Sequence, residues 1–323
     1  MKLTSTLLLI SSLATVAATE EQLNQRFTVE PGGQLVVDVD FGSIEVTTHE
    51  AGEVVVDVWR RITRKNKADE EEFLKDHQVT FSQDGNTVTV RCRRKGVSGW
   101  SWGGRSRKEA KYTITVPAQF NAQLKTSAGN IAVNDLAGEV KATTSGGGLR
   151  FAHLRGPLDG DTSGGGIHVT DCEGKLKIHT SGGGIDVRGG SGSLDGHTSG
   201  GSVTVQAFKG DTHVGTSGGG LMIENVVGPV EGSTSGGSVS AVLPSPLEGD
   251  VRLSSSAGEV TVVVPEDAAF DLDASTSAGR VRTDLPVTVV GKMERDHLAG
   301  TVNGGGKSVV LRSSAGSIHL KKL

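Results

Sequence analysis

The chain has 323 residues, among them 47 Gly, 8 Pro, one Tyr and three Trp, and its 33 basic and 37 acidic side chains leave a formal net charge of -4. Gly stands at about twice its usual share of roughly 7 % and aromatic residues are scarce, which excludes one large core filled by bulky side chains. Collagen is excluded because Gly does not recur at every third position, and the acidic balance argues against a nucleic-acid partner.

Residues 1–18 read as a secretory signal peptide. Lys2 supplies the positive start, Leu3 to Val16 the apolar and small-residue stretch, and Val16-Ala17-Ala18 the small residues that precede a cut near Thr19. The stretch is shorter than the roughly 20 residues a spanning helix requires and is interrupted by Ser and Thr. No Cys lies near the cut to carry a lipid anchor. Export is therefore expected, to the periplasm, the cell surface or the extracellular space.

Residues 19–125 form an irregular β-region with a cap. Alternating apolar residues mark strands at Leu35-Val36-Val37-Asp38-Val39, Ile44-Glu45-Val46, Val54-Val55-Val56-Asp57-Val58, Val88-Thr89-Val90 and Tyr112-Thr113-Ile114-Thr115-Val116. Turns fall at Pro31-Gly32-Gly33 and Asp84-Gly85-Asn86. A short helix is expected at Ala68 to His77, capped by Asp69, with Phe73 and Leu74 covering an open end of the fold. Within this region Arg91, Arg93, Arg94 and Lys95 precede Trp100-Ser101-Trp102-Gly103-Gly104, and Arg105, Arg107, Lys108 and Lys111 follow. Trp stacks on sugar rings and Arg pairs with anions, so Trp100, Trp102, Arg105, Arg107 and Lys108 form a candidate binding loop for an anionic glycan or lipid headgroup. The plainer alternative is a solvated loop with each Trp folded back as a local plug.

From residue 126 the chain repeats. Thr-Ser-Gly-Gly or its variant Thr-Ser-Ala-Gly starts at Thr126, Thr144, Thr162, Thr180, Thr198, Thr216 and Thr234, a step of 18 residues without insertion. Later copies at Ser255, Thr276 and Ser313 are spaced by 21 and then 37 residues, and a degenerate copy is expected near Asn303-Gly304-Gly305-Gly306. In each unit apolar residues occupy the sixth and eighth places, as in Ile167 and Val169, and the fifteenth, as in Leu176, while Gly recurs at the thirteenth. Strands this short cannot bury an apolar face alone, so units must stack at about 4.8 Å per strand. The fold expected is all-β, a parallel β-solenoid, regular over 126–254 and looser over 255–323.

The repeated Ser, Thr and Gly are corners on this reading, with Gly serving positive φ and the close stacking of backbones, and they are not a phosphate-binding loop. A calcium-binding nonapeptide solenoid would need an acidic residue at a fixed place in every turn, and an ice-binding face would need ladders of Thr-x-Thr; neither recurs. Cys92 and Cys172 show no metal-site spacing and are expected to be unpaired thiols. No cofactor is called for. At the outward seventh place Arg150, His168 and Asp186 follow one another, which would set them about 5 Å apart on adjacent strands. They are the best available constellation for an enzyme acting on polysaccharide, against the plainer reading of charges that solvate an outer face.

Phe27-Thr28-Val29-Glu30-Pro31-Gly32-Gly33, Gly42-Ser43-Ile44-Glu45-Val46, the Thr-Ser-Gly-Gly units and the closing Val302-Asn303-Gly304-Gly305-Gly306 and Ser314-Ala315-Gly316-Ser317-Ile318-His319-Leu320 together resemble the bacterial “putative adhesin” family of β-strand repeats of unknown function. The resemblance covers nearly all of the chain after the signal peptide. It implies a non-enzymatic, adhesin-like protein of the cell envelope whose partner is a surface macromolecule such as envelope glycan, and it carries no catalytic residues over. The competing expectation is a polysaccharide-acting enzyme.

Overall fold

The computed structural model describes residues 18–94, 107–289 and 294–323. Period-two alternation becomes strand wherever the sequence carries it: in Ile167–Thr170 the apolar Ile167 and Val169 turn inward while His168 and Thr170 face out. The same holds in Leu158–Thr162, where Leu158, Gly160 and Thr162 are buried. These strands assemble into two long sheets, of 14 and 15 strands, that enclose a continuous apolar core from Val29 to Leu320. Through the middle of the chain the pairing is parallel and joins residues 18 apart. Val140 faces Leu158 and Leu158 faces Leu176 in one sheet, while Leu149 faces Ile167 and Ile167 faces Ile185 in the other. The architecture is all-β and solenoid-like. Cys172 is a core residue at the eleventh place, equivalent to Leu154 and Phe208, and both thiols are buried and free.

The two corners of the unit obey different rules. At the Thr-Ser-Gly-Gly corner the leading hydroxyl is buried, and it donates to a glycine carbonyl of the preceding unit: Thr162 to Gly147, Thr180 to Gly165 and Thr198 to Gly183, each at 2.7 Å. The hydroxyls thus bond to backbone across the ladder, and they also accept the amide three residues ahead, as Gly183 N donates to Thr180 at 3.3 Å. The fourth residue must be Gly because of space. A Cβ on Gly183 would lie 2.1 Å from the Gly165 carbonyl oxygen, whereas one on Gly182 would lie 3.3 Å from its nearest neighbour. That difference explains why Ala replaces the third residue at Ala128, Ala257, Ala278 and Ala315 but never the fourth. Beyond Gly129 of the first unit (φ 142°), positive φ in the repeats belongs to the opposite corner, at the thirteenth-place glycines such as Gly156 (φ 135°) and at tenth-place residues such as Asp171 (φ 47°).

Spatial order departs from chain order at both ends. Gly33–Val39 lies between Phe120–Thr126 and Thr87–Cys92, so the unit formed by residues 87–117 stacks outside the one that precedes it in sequence. At the other end Lys307–Ser313 is inserted between Val251–Ser255 and Phe270–Thr276, and Ile318–Lys322 between Val260–Val264 and Val281–Thr283. Asn303 to Gly306 is consequently not a degenerate unit. Asn303, Gly304 and Gly305 all have positive φ and reverse the chain from His297–Val302, antiparallel to Phe270–Thr276, into Lys307–Ser313. Asp273 binds the reversal together, accepting from Arg312 on one neighbouring strand and His297 on the other. These contacts, led by Arg312, hold its carboxyl below the usual range.

Antiparallel strands finish both sheets at the N-terminal end. Thr19–Thr28 pairs on Glu53–Thr63, which pairs on Arg107–Pro117, while Thr80–Asp84 closes the other sheet on Thr87–Cys92. The helix Lys67–Asp76 links these two sheets at the N-terminal end. Its cap is Asn66, whose side chain accepts from the Asp69 amide, and not Asp69 itself. Phe73 is buried against Phe41 and Ile62, Leu74 packs at the margin, and His77 stacks on Phe73 at 3.9 Å between centroids. Gly183→Ala is expected to lower unfolding free energy by more than about 2 kcal/mol and Gly182→Ala to change it by less than about 1 kcal/mol, read from urea denaturation.

Candidate functional site

The outward seventh place of the first sheet carries the constellation expected from sequence. Arg150, His168 and Asp186 are direct cross-strand partners on three successive strands. Together with Ser43, Glu45, Lys111 and Ala132, Arg150 and His168 line a shallow groove on this face. Each carboxylate here is already engaged. Asp186 meets Arg188 at 3.1 Å and His168 Nδ1 at 3.6 Å, and Glu45 meets Lys111 at 2.7 Å. Glycosidic hydrolysis requires two carboxyl groups converging on one bond, one to donate a proton and one to act as base or nucleophile. The trio brings one carboxylate to an open strand face.

The second sheet carries an arrangement that reading the seventh place alone misses. At the sixteenth place the register stacks Lys141 on Asp159, Asp159 on Lys177, Lys177 on Asp195, Asp195 on His213, His213 on Glu231 and Glu231 on Arg252. Basic and acidic groups alternate along the whole column, with Lys141 3.5 Å from Asp159 and His213 3.5 Å from Glu231. Beside it His197 Nδ1 lies 2.9 Å from Asp195, and its ring packs 5.1 Å from that of His213. The signal was available: the same residues stand 18 apart in the sequence, up to Glu231. Among the described residues no group of three or more His, Cys, Asp or Glu is spaced to hold a metal ion, and no helix is long and apolar enough to cross a membrane.

Of the candidate loop, Trp100, Trp102 and Arg105, with Lys95, lie outside the described residues. The root of the loop is described, and much of its charge is spent locally. Arg93 forks onto Asp38 and Asp40, with Nε 3.0 Å from Asp38 and Nη1 2.8 Å from Asp40. Arg107 meets Glu109 at 2.6 Å. Arg107 and Lys108, expected in the loop, lie in the strand Arg107–Pro117, and the ammonium of Lys108 stands over the Phe41 ring at 5.1 Å, against the cluster that seats the helix.

The two parallel sheets, the hydroxyl-tied corners and the closing antiparallel strands define a class of β-repeat proteins. The chain belongs to the Toastrack DUF4097 family, whose model matches residues 34–321. This is the relationship expected from the opening Pro-Gly-Gly strand and the Thr-Ser-Gly-Gly units. None of the curated proteins compared matches the chain. Solved structures similar to it include a “putative adhesin” from Bacteroides fragilis NCTC 9343, 12 % identical with a TM-score of 0.33, covering 94 % of this chain and 97 % of that one. Another is a “putative adhesin” from Parabacteroides merdae ATCC 43184, 11 % identical with a TM-score of 0.34, covering 94 % and 96 %. A third is a “putative lipid binding protein” from Parabacteroides distasonis ATCC 8503, 12 % identical with a TM-score of 0.25, covering 94 % and 96 %. Likeness at this level assigns no activity to the chain. Asp195→Lys would stack a second ammonium directly on Lys177 and remove the carboxylate beside His197 and His213, and is expected to lower the urea midpoint at low salt, with the loss shrinking at 1 M salt as screening shortens to about 3 Å.

Proposed function

We propose that the chain is a non-catalytic, exported interaction protein of the cell envelope, in which each 18-residue unit is one turn of a parallel β-solenoid. The observation that carries this reading is the state of the outward polar groups. The seventh-place carboxylate Asp186 is paired with its neighbours, and the sixteenth-place groups alternate in sign, with Lys141 paired to Asp159 and His213 beside Glu231. Such faces present flat, regularly spaced hydrogen-bonding and charged groups to an extended partner, and they do not converge on a reacting bond. The signal-peptide pattern before Thr19 supports export.

The partner proposed is an anionic envelope glycan, held by the segment of Trp100, Trp102, Arg105, Arg107 and Lys108. Paired Trp rings offer stacking surfaces for sugar rings, and the basic groups offer donors to acidic substituents. Purified protein is expected to be retained on anionic cell-wall polysaccharide. Trp100→Ala with Trp102→Ala should weaken retention by about tenfold, equivalent to about 1.4 kcal/mol. Retention unchanged by the double substitution contradicts the loop assignment. Depolymerisation of the glycan by the unaltered protein, abolished by His168→Ala or Asp186→Ala, contradicts the non-catalytic reading.

A further inference from the structure

The N-terminal end holds two buried charges of opposite sign, and they are treated differently. Arg60 is 1 % exposed and is neutralised: its guanidinium grips the Glu21 carboxylate and also donates to the His77 carbonyl at 2.5 Å. Glu70 is 0 % exposed, and among the described residues no cationic side chain reaches ion-pair distance of it. Its carboxylate accepts from three groups, the Thr19 backbone N at 3.1 Å, the Thr19 hydroxyl at 2.6 Å and the Arg64 amide at 2.8 Å. The Thr19 hydroxyl, followed by the Arg64 amide, holds the Glu70 carboxyl below its ordinary value despite burial, so the group is an anion at neutral pH. All three of these donors are neutral, and Lys67 contributes only a smaller, longer-range attraction, so no direct ion pair offsets the desolvation of this carboxylate.

The missing charge has a source at the same atom. Small residues Val16 and Ala18 place a signal-peptidase cut directly before Thr19, and Thr19 N is the atom that faces Glu70. We propose that hydrolysis of the Ala18–Thr19 peptide bond turns Thr19 N into an α-ammonium that serves as the counter-ion of buried Glu70, strengthening in the processed chain the hold of the first strand on the helix that the neutral N–H and hydroxyl of Thr19 already make. The signal peptidase and water supply the chemistry. The C–N bond breaks, Ala18 leaves with the new carboxylate, and the Thr19 amine takes up a proton. One neutral N–H is thereby replaced by a charged group with three donors, at a site where Glu21 on the same strand already pairs with Arg60.

The inference rests on the export reading for its biological setting and on geometry for its energetics, and two measurements separate them. Full-length chain expressed in an export-competent bacterium should yield a protein whose intact mass and N-terminal sequence begin at Thr19; a different first residue overturns the processing step. For the ion pair, chain with Thr19 as its first residue is compared with the product of a precursor carrying Gly-Ser inserted between Ala18 and Thr19, which moves the amine two residues away. If the host does not process the chain, both ends are generated by protease cleavage of a fusion. The Thr19 start is expected to melt at least about 2–4 °C higher, and Glu70→Gln should abolish that difference while leaving the extended chain as stable or more so. Equal melting of the two chains, or a difference that survives Glu70→Gln, overturns the ion pair.

Discussion

A buried hydroxyl at one corner of each unit from Thr126 onward is the contact on which the rest of the structure depends. Parallel strands make their own hydrogen bonds along the sheets, but the two sheets stay in register with each other only if the chain turns between them at the same place in every unit. The Thr or Ser hydroxyl fixes that place by donating to a glycine carbonyl of the neighbouring unit and accepting an amide of its own. Buried polar groups must be paired, and here one side chain satisfies two backbone groups that the sharp turn would otherwise leave unmet. The glycine at the fourth place is the steric counterpart of this bond, because the carbonyl that accepts it stands where a Cβ would be. The contact persists where the spacing loosens: Ser255 and Ser313 bind Gly237 and Gly258, and Thr276 binds Gly316 across the altered strand order.

An invariant corner leaves the outer faces free to vary, and in-register stacking obliges them to do so. Equivalent places lie directly above one another, so a faithful repeat of any charged residue would stack like charges about 5 Å apart. The alternation from Lys141 to Arg252 avoids this, whereas at the seventh place the basic Arg150 and His168 are direct neighbours and only His168 and Asp186 alternate. Charges drawn together by such a rule look like a catalytic cluster when only three are read. Within the trio, Asp186 pairs with His168, and it pairs also with Arg188. The ends solve a different problem, since an exposed parallel edge invites another chain to add on. Antiparallel strands end both sheets at the N-terminal end and the 15-stranded sheet at the other, with the helix at the N-terminal end, while the 14-stranded sheet finishes on the short parallel strand Val281–Thr283.

Much of this was legible in the sequence where a residue has one physical reason to be present. Ile167 and Val169 announced a half-buried strand, and the buried Thr of each corner announced the repeat. The strand order at the ends was not legible. Nothing in Ile318-His319-Leu320 records that it fills a place between two units that precede it, because parallel pairing is decided by which apolar edges remain open once the neighbouring chain has turned away. Asn66 rather than Asp69 caps the helix, a shift of three residues among acceptors of similar strength. The positive φ expected at the fourth-place glycines is found at Gly129 of the first unit, and in the later units it belongs to the opposite corner, where Asp135, His153 and Asn225 also adopt it. The role of Glu70 was hidden because its partner is a backbone nitrogen on a distant strand.

The central claim is that the corner hydroxyl, and not merely the size of the side chain, ties the units together. It is tested most directly by equilibrium urea unfolding of Thr180→Ser and Thr180→Val. Ser keeps the donor and acceptor and is expected to lie within about 1 kcal/mol of the unaltered chain. Val keeps the shape but leaves the Gly165 carbonyl and the Gly183 amide without their partner, and is expected to lose about 1–3 kcal/mol. A Val variant as stable as the unaltered protein would contradict the account.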